Sequence, residues 1–154
     1  MSAGRDFADF ESLAAAVETE LTKILIADVA SIAEEILESH IHSDIYGVDY
    51  RINGGWVGGE TYQRREQLPS TVYSEMEDKS TLVVSANGSP NTPIIKGHSV
   101  YGDGGGFLKL LEKGPWGIYR HGFPRPAVTL AQREIDSSPR IAAAIESGIK
   151  KRIG

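Results

Sequence analysis

The chain has 154 residues, 40% of them hydrophobic and 24% charged, which suits one folded domain with a buried core and excludes wholesale disorder. A net charge of −5 argues against a dedicated nucleic-acid binder, and the lack of any run of 18 apolar residues excludes a membrane-spanning helix. With no cysteine, disulfides, thiolate zinc sites and cysteine nucleophiles are excluded too. Residues 1–6 show no basic stretch leading into an apolar core, so no secretory leader is expected and synthesis in a cytoplasm is.

Residues 6–41 contain neither Gly nor Pro, and apolar residues recur there at steps of three and four. Phe7, Phe10, Leu13, Val17, Leu21, Ile24, Leu25, Ile32, Ile36 and Leu37 draw one stripe, with Glu and Lys filling most of the remainder. The pattern predicts a core-facing amphipathic helix, about 54 Å long if unbroken, or one kinked or split into two helices near Thr22. Its excess length is available to a neighbouring subunit.

Beyond Asp44 the pattern changes. Gly47, Gly54, Gly55, Gly58 and Gly59 punctuate short pieces around Tyr50, Trp56, Val57 and Tyr62, where a helix would be costly. Short strands and loops are expected instead. A strand is predicted to begin after Pro69 within residues 67–76, and a clearer one covers 80–86 (STLVVSA). A turn at residues 87–91, an extended piece at 93–100 and a Gly-rich loop at 102–106 follow. Pro126 is expected as the first residue of a helix carrying Val128, Ala131 and Ile135. Ser138-Pro139 signals the cap of a last helix with Ile141, Ile145 and Ile149 on one side. Lys150-Lys151-Arg152 falls in its final turn, where cations complement the helix dipole. The expected fold class is α+β: a long N-terminal amphipathic helix (residues 6–41) on a small, mostly antiparallel sheet (within 47–125), then one or two short C-terminal helices (126–152), all in a single domain spanning 1–154.

Chemistry is thinly signposted. His40-Ile41-His42 with Asp44 is the best metal candidate; on a strand the two imidazoles would share a face, whereas on a helix they diverge by about 200°. No third ligand group stands at a fitting spacing, so no metal, cofactor or catalytic residue is assigned. Neither Gly-rich loop carries the lysine and hydroxyl of a phosphate-binding loop, and no nucleophile elbow or HExxH run occurs.

Residues 106–135 (GFLKLLEKGPWGIYRHGFPRPAVTLAQREI) are the most informative stretch. An apolar run ends at Glu112-Lys113-Gly114, an aromatic turn follows, and Gly122-Phe123-Pro124-Arg125-Pro126-Ala127 enters a helix. This layout resembles small tailed-phage head–tail connector and tail-completion (neck) proteins, which show a Glu-x-Gly step and a Pro-Phe-x-Arg-Pro-Ala helix entry. Here Phe and Pro stand in exchanged order. The long N-terminal helix and Tyr62, Arg64 and Leu68, which fit a Tyr-x-Arg…Leu step into the strands, extend the resemblance over most of the chain.

The resemblance implies a virion structural protein without enzymatic activity, made in the host cytoplasm. Such subunits join into a homo-oligomeric ring, often six-fold, between a connector or stopper and the tail-tube or tail-terminator proteins. DNA passes through as non-specific cargo, which a net negative chain would not hold. The candidate interface residues are Tyr62, Arg64, Leu68, Glu112, Trp116, Tyr119, Phe123 and Arg125, with the loops at 47–59 and 102–106 ordering on docking. Two other readings stay open at this point: a small metal-dependent or acid–base enzyme using His40 and His42, and a bacterial interaction module.

Overall fold

The computed structural model describes residues 9–46, 69–86, 94–95, 98–99, 112 and 126–154. The loops at 47–59 and 102–106 lie outside them. Helix α1 (Phe10–Ile24) opens at Asp9, whose extended backbone and side chain form the cap: its carboxylate accepts the Ser12 N–H at 2.7 Å. That bond holds the Asp9 carboxyl below its ordinary range.

No break occurs at Thr22. Helical backbone continues through a π-helical segment, Leu25–Val29, into α2 (Ala30–His40) and on through a second π segment, Ile41–Tyr46. The widened turn is visible at Ala30, whose N–H donates to the Leu25 carbonyl five residues back. Its effect is on register. Buried positions run from Ile24 to Val29, a step of five, and then to Ala30, Ala33, Ile36 and Leu37. An uninterrupted α-helix would have carried Asp28 toward that face. The inserted residue leaves Asp28 at the margin, where Arg152 meets it at 3.6 Å.

The helix also outlasts its expected end at Ile41. His42, Ser43 and Asp44 read as a polar terminus, but Ile41 and Ile45, four residues apart, are 0% and 3% exposed. Those two side chains tie the extra turn to the core, and the hydrophobic contact overrides the polar run between them.

Strands β1 (Val72–Met76) and β2 (Leu82–Ala86) form an antiparallel hairpin in which Val72 faces Ala86, Ser74 faces Val84 and Met76 faces Leu82. These pairs share one face because side chains alternate along a strand. That face lies against α2: Val72, Leu82, Val84 and Ala86 join its core residues, and the Ser74 hydroxyl donates to the Glu34 carboxylate. Tyr73 and Glu75 point the other way and are exposed. Asp78 organises the turn, accepting from the Ser80 N–H, the Ser80 hydroxyl and the Thr81 hydroxyl at 2.7, 3.1 and 2.9 Å. Those bonds hold its carboxyl below the ordinary value. Within the extended piece expected at 93–100, β3 (Ile94–Ile95) pairs antiparallel with β4 (His98–Ser99).

Helix α3 (Ala127–Ser137) begins one residue after Pro126, which stands at the cap position. Helix α4 (Pro139–Arg152) starts as its Ser-Pro signal predicts, with the Ser138 side chain accepting the Ile141 N–H. Of its expected apolar side, Ile141 is buried and Ile145 partly so, whereas Ile149 is exposed. The core gathers Ile24, Val29, Ile36, Leu37, Ile41 and Ile45 of the long helical stretch with Ala86, Ala127, Ala131 and Ile141. The architecture is thus α+β, and none of its described helices is long and apolar enough to cross a membrane.

Candidate functional site

The amphipathic stripe divides at Ile24. From there onward it is covered, but the preceding turns are not: residues 9–15 are all exposed, Phe10 to 83%, and Leu13 and Leu21 remain over a third exposed. This leg of α1 meets the described body near its base. Lys79 of the hairpin turn reaches Glu18 at 3.3 Å and its carbonyl accepts from Thr22, while Gly148 of α4 lies on Ile24. Phe10, Leu13 and Leu21 thus leave an apolar ridge uncovered along this part of α1.

A second apolar surface is concave. Val29, Leu37, Leu82, Val84, Ile135 and Ile145 help line a groove of about 330 Å³ between the helical stretch, the hairpin, α3 and α4. Its polar residues are Ser80, Thr81 and Gln132, none of them a titratable group. Such lining suits an apolar side chain better than a reaction.

A cluster of titratable groups lies on another side of α3. Because the helical backbone runs through both His40 and His42, the shared strand face that chelation needs does not form. His40 instead lies 2.6 Å through Nδ1 from Asp44 Oδ2 and 2.7 Å through Nε2 from Glu134 Oε2 of α3. Beside it, the Arg140 guanidinium of α4 forks onto Glu35 of α2 at 3.2 and 2.7 Å. That fork lowers the Glu35 carboxyl and raises Arg140. No group of three or more metal-ligating side chains is assembled among the described residues.

Of the candidate interface residues, Glu112 is the one the structure describes; Tyr62, Arg64, Leu68, Trp116, Tyr119, Phe123 and Arg125 lie outside the described residues. Glu112 sits at the start of α3, where its carboxylate accepts the Thr129 N–H at 2.9 Å and the Thr129 hydroxyl at 2.7 Å. Pro126 has no side chain to cap that helix, so an acid 17 residues upstream takes the orphan N–H and meets the positive end of the dipole. We expect Glu112→Ala to cost about 1 kcal/mol, read as a lower urea midpoint at unchanged slope; an unaltered midpoint would rule out the capping role.

Sequence reasoning singled out His40, Asp44 and Glu112 but not their partners Glu134 and Thr129. The His40–Asp44 contact was readable as an i, i+4 pair once the helix is carried past residue 41. Glu134, 94 residues away from His40, carries no local signal. The chain matches no protein-family model, no curated protein and no solved structure. Its function is therefore argued from its own residues.

Proposed function

We propose that this protein is a non-enzymatic virion component of a long-tailed phage, a tail-completion or head–tail joining subunit that closes into a ring at the neck. The observation that carries the reading is the run from Glu112-Lys113-Gly114 to Phe123-Pro124-Arg125-Pro126, with its resemblance to neck proteins. Glu112 also joins the two ends of that run, because it holds the first turn of the helix the run leads into.

The surfaces lend support of a different kind. A ring needs two unlike, complementary patches on each subunit, since a head-to-tail contact repeats until it closes. The bare ridge of α1 and the apolar groove are two unlike apolar surfaces among the described residues, and such a contact could use one against the other. The partners are then further copies of this chain, the connector or stopper above and tail-tube or terminator proteins below. DNA crosses as non-specific cargo past a chain of net charge −5. At His40, one of the two histidines of the rival acid–base reading, both ring nitrogens face carboxylates in this structure.

Light scattering across a concentration series, with negative-stain imaging of the large species, tests the proposal. The expected result is a closed ring with a central hole whose population grows with concentration. A chain that stays monomeric at every concentration would overturn self-assembly of the free subunit.

A further inference from the structure

One side chain ties the far end of the long helical stretch to α3. Both partners of the His40 ring are carboxylate oxygens, which when ionised accept hydrogen bonds and have none to give. Both ring nitrogens must therefore donate, and an imidazole with both nitrogens protonated is the cation. We infer that His40 is a proton-operated latch, fastening α3 to the end of α2 through Glu134 while it is charged and releasing that carboxylate when it is neutral. The one remaining N–H then stays with the less exposed Asp44, four residues on in the same helical stretch. The neutral ring keeps a single N–H, so the second carboxylate would face a lone pair at hydrogen-bond distance, and that contact opens.

Besides the latch, α3 rests on two small buried residues and on the partly buried Ile135. The fully buried residues of α3 are Ala127 and Ala131, which remove little apolar area from water. Glu112 fastens the first turn of α3, and His40 fastens Glu134, two turns further on. The same helix supplies Val128, Ala131, Gln132 and Ile135 to the apolar groove. Opening the latch thus loosens one wall of that groove, and proton binding controls how firmly the wall is set.

The charges around the latch come from three elements. Asp44 belongs to its own helical stretch and Glu134 to α3, while Arg140 of α4 acts on Glu134 and forks onto Glu35 of α2. With the latch closed, the three carboxylates meet two cations; with it open they meet only Arg140. Burial of the ring favours the neutral form, but hydrogen bonds and charge from Asp44 and Glu134 outweigh it and hold the His40 pKa above its ordinary 6.5. A value raised in the folded state means that the latch contributes fully below pH 6.5 and is lost as the pH climbs through the folded value. Acid strengthens this contact until the carboxylates themselves begin to protonate.

The test uses the full chain and is independent of ring formation. The His40 ring resonances are titrated by NMR, and amide-exchange protection factors of α3 and α4 are compared from pH 6 to pH 9. We expect His40 to titrate above its ordinary value, and the protection of α3 relative to α4 to fall severalfold across that titration. Glu134→Gln, at an exposed side chain, should lower the His40 pKa and flatten the pH response of α3. His42→Gln should leave both unchanged. A His40 that titrates at or below its ordinary value, or an α3/α4 protection ratio that stays constant with pH, would overturn the latch.

Discussion

Ile41→Ala is expected to lower the unfolding free energy by about 2–5 kcal/mol. Ile41 is 0% exposed and belongs to the core cluster with Ile45, Leu37 and Ala127. Removing three carbons there forfeits their transfer free energy and leaves a void that surrounding side chains fill only in part. It also weakens the segment's own reason for being helical, since Ile41 and Ile45 secure the turn that carries Asp44. Ile41→Val, which removes one carbon, should cost about 0.5–1.5 kcal/mol. Urea denaturation of the three proteins measures both steps. An Ile41→Ala loss below about 1 kcal/mol would show that the turn at 41–46 is not held by this side chain.

The second large effect has a sign opposite to the one helix propensity predicts. Gly148 lies inside α4, where glycine is unfavourable by about 1 kcal/mol relative to alanine. Gly148→Ala would stabilise an isolated helix, yet here we expect it to destabilise the protein by up to about 2 kcal/mol. A Cβ at this position would stand 2.9 Å from both Cγ1 and Cγ2 of Ile24 and 3.2 Å from an Asp28 carboxylate oxygen. Ile24 is 1% exposed and cannot swing aside, so the overpacking, typically about 1–3 kcal/mol, outweighs the propensity gain. The glycine is there to let α4 approach α1 closely.

The cause can be isolated by a double-mutant cycle. Ile24→Ala alone should cost about 2–5 kcal/mol. In that background Gly148→Ala should become neutral or stabilising, because the atoms it strikes are gone and the new methyl fills part of the void. Additive costs would show that the two residues do not constrain each other. A stabilising single Gly148→Ala would refute the close approach itself.

Local grammar made the main elements legible. The absence of Gly and Pro from residue 6 to 41, the Leu82-Val83-Val84 run and the Ser138-Pro139 cap each act within a few residues, and each lies in or beside its expected element. Two features of the long helix were not legible. The π turn at Leu25–Val29 depends on which residues find cover, and α4 meets the helix at Ile24 and Asp28. The continuation to Tyr46 depends on Ile41 and Ile45 reaching a core built by distant residues. His42, Ser43 and Asp44 alone would have ended the helix.

The candidate site shows the same division more sharply. His40, Asp44 and Glu112 stand out in the sequence as chemically capable residues, but what each does is decided by a partner that sequence spacing does not reveal. Glu134 makes His40 a bridge between helices, and Thr129 makes Glu112 a helix cap. The apolar stripe from Phe10 to Leu37 is likewise continuous in sequence, and nothing in its period says that cover begins at Ile24.

By itself, then, the sequence determined the α+β class, the order of the elements and the lack of any thiol chemistry, because periodicity, capping and composition act locally. The tertiary structure alone decided where the long helix widens and ends, which part of its stripe stays bare, and that an imidazole joins two helices. Those outcomes depend on contacts between residues tens of positions apart, whose energies exist only once the chain has brought them together.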